Sequence, residues 1–549
     1  MNDVDMRLRQ AELTLRDTSH APLGQLLLEA NKLAPEALQH ALRLQKRIDA
    51  PLGDIMVSEG LVKKRDVLAA LAKQARAEGV DLDLKPPAPE MASALPASLS
   101  LKYNVVPWRE DAQALYVATS SPTGCAKLRK SMAAKRLSLF PVIVDDAQIK
   151  AFQSRLYGAE LARSAETKVA SHESCRGWTD HRLRRTLWAV GAVAVLAVAL
   201  VKFPAWTVTI LALWALLTLA MVGTLKAAAL WVHVTRKTRE TPAPSMQPNF
   251  RMPRVSVLVP LLKEREIAEQ LIERLSQLTY PKSLLSVALV LEEDDKTTQE
   301  TIARTVLPDW ISVVEVPATD GLTTKPRALN YALNFCNGSI VGVWDAEDWP
   351  EPDQIEKVVA RFNAAPEDVA CLQGVLDYYN SRSTWLARCF TIEYAIWWRI
   401  VMPGLASLGL VVPLGGTTLF FKRHVLEQLG GWDAHNVTED ADLGVRLARH
   451  GYRTELLPTV TREEATSRAW PRVRQRSRWL KGFLVTYFVH MRRPRALIRD
   501  LGIKRFLGVQ TIFLAAFSQF ATAPILWTFW VTLLGVNHPV ADTLGSPVV

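Results

Sequence analysis

Cysteine is scarce and scattered. The five residues, Cys125, Cys175, Cys336, Cys371 and Cys389, include no close pair. That spacing excludes a disulfide framework and a cysteine-based zinc site, and it fits a reducing compartment. The first ten residues, MNDVDMRLRQ, lack the apolar core of a signal peptide, so no secretory leader is expected. One long basic run is also missing, although Lys and Arg total 66 against 55 Asp and Glu, a formal net charge of +11. No helix-turn-helix, zinc or RNA-binding signature accompanies that charge, which argues for no nucleic acid among the partners.

What is abundant is apolar sequence. Hydrophobic residues make up 49% of the 549-residue chain, high for a purely soluble protein. At about 150 residues per domain, three or four units are expected. Residues 186–201 and 205–224 carry no charge, and only Lys202, Phe203 and Pro204 separate them. Basic residues flank the pair: Arg182, Arg184 and Arg185 before it, Arg236, Lys237 and Arg239 after it. This pattern predicts a transmembrane hairpin over 185–232 with both ends on the cytoplasmic side. A last apolar stretch, 506–536, reads as one tilted helix or two pieces broken near Pro524, within an interfacial and transmembrane segment 486–549.

The remaining chain divides by pattern. Residues 1–158 read as a small α+β domain. It begins with an internal repeat: PLGQLLLEANKLAPEALQHALRLQ (22–45) and PLGDIMVSEGLVKKRDVLAALAKQ (51–74). Each copy has apolar residues at helical spacing broken once, near Asn31 or Gly60, which predicts two short helix pairs. VVPW (105–108), ALYVAT (114–119) and LFPVIV (139–144) read as strands. Residues 159–184 are polar and read as a linker, and 240–250 form a proline-rich one. From 250 to 485 strands and helices alternate. The apolar runs 255–262, 286–293, 339–348 and 369–379 read as buried strands of a parallel sheet, several ending in polar residues where open α/β sheets place their sites.

Four polar clusters share this last region: Glu292-Glu293-Asp294-Asp295, Asp345-Ala346-Glu347-Asp348, Thr438-Glu439-Asp440, and Gln475-Arg476-Ser477-Arg478-Trp479. Acids at short spacing on a rigid strand end suit a hard cation such as Mg²⁺ or Mn²⁺ and, through it, an anionic diphosphate. A separate carboxylate can take a proton from an attacking hydroxyl. Lys325 and Arg478 are candidates to stabilise leaving-group charge.

The order and separation of these clusters resemble the family 2 glycosyltransferases, within them the processive polysaccharide synthases of the cellulose synthase type. That family carries an early acidic pair, D-x-D, T-E-D and Q-x-x-R-W in this order. VLVPLLKERE (257–266), TTKPRALNYAL (323–333) and GGTTLFFKR (415–423) are similar to its first strand, basic loop and acceptor-side loop. The resemblance implies a GT-A-like nucleotide-sugar transferase domain in a membrane protein. It implies that Glu292 and Glu293 contact the nucleoside, with Lys325 nearby. Asp345 would hold the metal together with Glu347 or Asp348, the D-A-E-D spacing leaving both open. Asp440 would be the general base with Glu439 beside it. Gly416 and Thr417 would lie at the acceptor. Gln475, Arg478 and Trp479 would bind diphosphate and line the acceptor path. The aromatic segment 383–402, with Trp385, Phe390, Tyr394, Trp397 and Trp398, resembles the interfacial helix of the synthases.

The tandem copies at 22–45 and 51–74 resemble the N-terminal domain of type II secretion and type IV pilus ATPases. Some members of that family bind cyclic di-GMP through two copies of R-L-G-x-x-L-V-x-x-G-x-I-x(4)-L-x-x-A-L-x-x-Q. Leu23, Gly24 and Gln45 match in the first copy, and Leu52, Gly53 and Gln74 in the second. Pro22 and Pro51 replace the arginines, and Asn31 stands where glycine is expected.

Together these features predict an inverting membrane glycosyltransferase building polysaccharide at the cytoplasmic face of a bacterial inner membrane. Its expected partners are a nucleotide-sugar donor, a glycan or lipid acceptor, the bilayer and export subunits, with cyclic di-GMP as effector. The alternatives are a non-processive transferase to a lipid or short acceptor, and an inactive membrane receptor or scaffold for a secretion system.

Overall fold

The computed structural model describes residues 21–236 and 250–536, apart from 112–113, 133–137, 179, 181, 265–266 and 320, and also residues 538 and 540. The first twenty residues, the proline-rich stretch before residue 250 and the last nine residues lie outside the described residues. The chain divides into two compact units: one formed by the N-terminal part through Leu161 with short later segments, the other by most of the remainder.

The first unit opens with the two expected helix pairs, Leu23–Glu29 with Pro35–Arg47 and Leu52–Ser58 with Lys64–Ala75. Asn31 (φ 53°) and Gly60 (φ 68°) occupy the same turn in the two copies, both in the left-handed region. Asparagine is among the few side-chain-bearing residues that enter it readily, so Asn31 fills the role of the repeat's glycine. A three-stranded sheet follows: β1 (Val105–Glu110), β2 (Ala114–Thr119) and β3 (Ser138–Ile143). β2 is central, antiparallel to β1 and parallel to β3. Alternate residues serve opposite faces. Val105, Leu115 and Leu139 pack with Cys125 and Leu128, while Val106, Ala118 and Val142 pack with Ile149 and Phe152.

The second unit is built on an eight-stranded sheet of order β6-β5-β4-β7-β10-β9-β11-β8. The strands are β4 (Val255–Pro260), β5 (Leu285–Glu292), β6 (Ile311–Val316), β7 (Ile340–Val343), β8 (Trp349–Pro350), β9 (Val369–Tyr378), β10 (Leu419–Lys422) and β11 (Arg453–Glu463). The pair β4/β7 is parallel, as expected, and so are β5/β6 and β9/β11, but β10 inserts antiparallel to both β7 and β9. The sheet is mixed rather than parallel. This is a GT-A-like fold.

Among the described residues three helices, Arg182–Lys202, Pro204–Thr235 and Pro494–Val531, are long and apolar enough to cross a membrane. In the third, the helix continues through Pro524, and the backbone departs from helical geometry at Gly502 (φ 73°) instead. A π-helical segment, Gln510–Ala515, lies between. Of the two readings of 506–536, the helix unbroken at Pro524 is the one seen; the departure at Gly502, a glycine free to adopt positive φ, lies upstream of that stretch.

The stretch 159–184 is not a simple linker. The helix Asp146–Thr167 runs through its first third, and Ala162, Ala165, Val169, Ser174 and Cys175 are buried. It reads as polar because its charges are paired within the fold: Glu166 with Arg327, and Glu173 with Arg449.

Candidate active site

β7 ends at Val343, and the chain then turns through Asp345-Ala346-Glu347-Asp348. The two candidate partners of Asp345 separate here. Glu347 is exposed, whereas Asp348 is fully buried. Asp348 accepts hydrogen bonds from the Asp345 backbone N–H (2.8 Å) and the Thr417 hydroxyl. Asp348 thus braces the turn and ties it to the Gly416-Thr417 loop, leaving Asp345 and Glu347 to face outward.

Lys325, at the start of the helix Lys325–Ala332, forms an ion pair with Asp345 and donates to the Gly416 carbonyl (2.9 Å). The β-carbon position of Gly416 lies 3.5 Å from Asp440 Oδ2 and 3.7 Å from Lys325 Nζ. Asp440 belongs to the first turn of the helix Glu439–Arg449, whose N-cap position is Thr438. The Thr438 side chain does not cap that helix; its hydroxyl lies 3.4 Å from both Asn436 Oδ1 and Thr486 Oγ1. D-A-E-D, T-E-D, the basic loop and G-G-T-T therefore meet at one place.

The electrostatics are those of crowded carboxylates. Although Glu347 reaches the surface, partial desolvation at the cleft edge, and then Asp345, push it up to about 7. Burial, and then Asp440, push Glu439 up to about 8. Burial pushes Asp440 up to about 6 against the opposing pull of the Ala441 N–H and Lys325. Burial alone would lower Lys325, but Asp345 and Glu439 outweigh it and hold the ammonium charged. Among the described residues no three His, Cys, Asp or Glu side chains are grouped as a ready-made metal cage. Two outward carboxylates beside a cleft are instead what a hard cation needs when phosphate oxygens and water complete its shell. Asp348 Oδ1 and Glu463 Oε1, both buried, have no hydrogen-bond partner among the described residues.

The family model described as glycosyltransferase like family 2 matches residues 253–482, spanning all of these clusters. Residues 253–482 thus resemble a family 2 glycosyltransferase domain. The family model described as MshEN domain matches residues 75–163, downstream of the two helical repeats. The chain is 28% identical over 276 residues to a probable glycosyltransferase, YdaM, of Bacillus subtilis, covering 48% of this chain and 64% of that protein. It is 29% identical over 238 residues to the beta-monoglucosyldiacylglycerol synthase of Trichormus variabilis, covering 42% and 49%. The chain thus matches about half to two thirds of the length of these curated relatives. Among solved structures it is similar to the mannosyltransferase PcManGT of Pyrobaculum calidifontis in complex with GDP-Man and Mn²⁺. That similarity is 20% identity with a TM-score of 0.42, over 60% of this chain and 90% of that one.

Other expected residues of the transferase domain are placed less simply. Glu292, at the end of β5, is buried and paired with Arg327 at 3.0 Å. Burial raises its pKa, and Arg327 offsets part of that rise. Glu293 is exposed and accepts from the Ala318 N–H (2.9 Å). Asp295 caps the helix Lys296–Ala303 and accepts from Thr298. The Q-R-S-R-W cluster rides on the helix Ala469–His490, which approaches T-E-D where Gly482 lies against Thr438. Trp479 faces Phe390 (centroids 6.5 Å apart), in a cluster with Tyr378 and Tyr394. Arg478 is exposed, and Gln475 Oε1 is buried without a hydrogen-bond partner among the described residues. Sequence reading missed Glu463, at the end of β11. Burial, then Asp348, Asp345 and Glu347, push its pKa well up. Its signal was a strand, Arg453–Glu463, ending in acids.

In the repeats, Gly24 and Gly53 are buried packing positions. A β-carbon on Gly24 would sit 2.6 Å from Leu38 Cδ1, and one on Gly53 2.9 Å from Val67 Cγ1. Leu23, Leu52, Gln45 and Gln74 are half-buried, and Gln74 donates to the Ala21 carbonyl (3.1 Å).

Proposed function

We infer that this chain is an inverting membrane glycosyltransferase, which takes a hexose from a nucleotide-sugar, UDP-linked, and extends a glycan at the cytoplasmic face of a bacterial inner membrane. The observation that carries this reading is the meeting of Asp440, Lys325, Asp345 and Gly416 in one cleft. Asp440, half-exposed at a helix start, is the base. As the acceptor oxygen bonds to the sugar's anomeric carbon, its proton passes to the Asp440 carboxylate. The bond from that carbon to the diphosphate breaks, and its electron pair leaves with the nucleoside diphosphate. Asp345 and Glu347 would hold Mg²⁺ or Mn²⁺, which supplies charge neutralisation to the departing diphosphate. Lys325 keeps Asp345 and the Gly416 loop in place. Glu293, Gln475, Arg478 and Trp479 frame the donor and the acceptor path.

The repeats and the MshEN domain support cyclic di-GMP as effector, with Leu23, Gly24, Gln45, Leu52, Gly53 and Gln74 as the framework of its site. Export subunits would carry a polymer onward. A second reading, transfer of one sugar to a lipid, is favoured by the similarity to beta-monoglucosyldiacylglycerol synthase.

The test is release of nucleoside diphosphate by detergent-purified protein over a panel of UDP- and GDP-sugars with Mg²⁺ or Mn²⁺, with and without cyclic di-GMP. Metal-dependent release with one sugar, lost in Asp440→Asn, supports the transferase. Product size separates polymer from glycolipid. No release from folded protein would favour the scaffold.

A further inference from the structure

The helix Asp146–Thr167 does not end in solvent. Its last turn and the residues after it are part of the catalytic unit, where they touch two segments that lead into the active site. The first is the chain entering Lys325. Glu166 Oε1 accepts from Arg327 Nε (3.1 Å) and from Thr319 Oγ1 (3.0 Å). Arg327 is 1% exposed. It also donates to Glu292 (3.0 Å), to the Pro317 carbonyl (2.6 Å) and to Thr319 Oγ1 (3.1 Å). Arg327 stands two residues from Lys325 on the same first helical turn, so whatever fixes Arg327 fixes the base of the Lys325 side chain. A buried guanidinium needs its counter-charges, and Glu166 supplies one of the two carboxylates here.

The second segment is the one entering T-E-D. Ser174 Oγ donates to Asp433 Oδ1 (2.8 Å), and the Cys175 N–H donates to Asp433 Oδ2 (2.7 Å). The Glu166 carbonyl lies 3.2 Å from His435 Nε2. Asn330 joins the two segments. Its Nδ2 donates to the Ala165 carbonyl (3.0 Å) and to the Trp432 carbonyl (2.6 Å), and its Oδ1 accepts from the Trp432 N–H (2.9 Å). All of these side chains are buried or half-buried, where each lost partner leaves an unsatisfied group.

We propose that residues 165–175 are a positioning strap for the active site. Glu166 sets Lys325 on the donor side through Arg327, and the Ser174–Asp433 contact sets Asp440 on the acceptor side. This inference rests on the transferase reading above. None of the strap residues touches the reacting atoms; each acts through another.

Two readouts test the strap: UDP binding in the presence of Mn²⁺, by calorimetry, and nucleoside diphosphate release with its KM and kcat. Glu166→Gln is expected to weaken UDP binding and raise donor KM about tenfold, with kcat within about twofold. Asp433→Asn is expected to lower kcat about tenfold, with UDP binding and donor KM within about twofold. If either protein fails to elute as a folded species, Thr319→Val and Ser174→Ala, each removing one hydroxyl, replace them with the same split at smaller size. Equal losses in KM and kcat at both ends, or no change at either, overturn the strap. A chain that neither binds UDP nor releases nucleoside diphosphate overturns the transferase reading instead. A chain that binds UDP equally with and without the Glu166 substitution overturns the strap alone.

Discussion

Gly482 lies so close to Thr438 that a β-carbon on it would sit 2.6 Å from the threonine hydroxyl oxygen. Gly482 follows Q-R-S-R-W on the same helix, and Thr438 opens T-E-D. Gly482→Ala must therefore move the helix or the threonine, and Thr438 has little freedom because it is buried against Asn436 and Thr486. The expected result is a fall in kcat of about tenfold or more, as misplacement of a reacting group produces, with UDP affinity nearly unchanged. Steady-state kinetics beside UDP titration checks it. Unchanged kcat would mean that the two motifs are not mechanically linked.

How legible this site was depended on how local its parts are. D-A-E-D and T-E-D could be read because each occupies one turn, at a strand end and a helix start. The choice between Glu347 and Asp348 could not be read, because it depends on Thr417, 69 positions away, taking Asp348 inward. Glu292 read as a nucleoside contact; its pairing with Arg327, which itself pairs with Glu166 from 161 positions away, could not be read. The strap read as a linker for the same reason: its charges look solvated until their partners are known. The antiparallel β10 was hidden because a short apolar run carries no sign of strand direction.

The inward turn of Asp348 separates the roles of the two acids. Glu347→Gln removes an outward oxygen and is expected to raise the Mn²⁺ concentration needed for half-maximal release about tenfold or more, with the fold intact. Asp348→Asn takes the carboxylate from a buried turn where it accepts from the Asp345 N–H and the Thr417 hydroxyl. It is expected to lower thermal stability, with a smaller change in metal dependence. Metal titrations and melting curves of the two variants decide. The reverse pattern would make Asp348 the second ligand.

As the proposed base, Asp440 must be ionised to take a proton. Its pKa is pushed up to about 6, by burial above all. Below that pH the protonated fraction grows, so kcat/KM is expected to rise about tenfold per pH unit up to about 6 and level off above it. Asp440→Asn should abolish turnover at every pH while UDP still binds. A profile flat down to pH 5, in protein shown to remain folded, would remove Asp440 from the role of base.

In the first unit, the matching turns at Asn31 and Gly60 make a conformational prediction. Both hold positive φ, so Asn31→Gly should be neutral or slightly stabilising. Asn31→Val, forced into the same region, should cost about 1–2 kcal/mol. Gly24→Ala with Gly53→Ala should destabilise the repeats, since both β-carbons meet packed side chains that must shift. Loss of cyclic di-GMP binding in that double variant would then report on folding rather than on contact. Circular dichroism melts of the three proteins check the order. Equal melting of Asn31→Gly and Asn31→Val would show that the turn is not under this constraint.

Asp442, two residues past Asp440, has a structural task. It is fully buried and paired with Arg446 (2.7 Å) and His490 (3.0 Å), joining the T-E-D helix to the helix that carries Q-R-S-R-W. Burial pushes its pKa up, but Arg446 and His490 pull harder, and the net shift is downward. A carboxylate whose folded pKa is depressed contributes stability above its unfolded pKa, near 3.9, and loses it as the pH falls through the lower folded value. Asp442→Asn strands a buried Arg446 and is expected to cost about 3–5 kcal/mol at pH 7. The gap between variant and unmodified chain should narrow at pH 3, below the unfolded pKa, where the unfolded chain takes up a proton that the native Asp442 resists. Chemical unfolding in detergent at the two pH values measures both gaps. A gap of equal size at pH 3 and pH 7 would mean that the substitution acts through packing and that the charge of Asp442 contributes nothing.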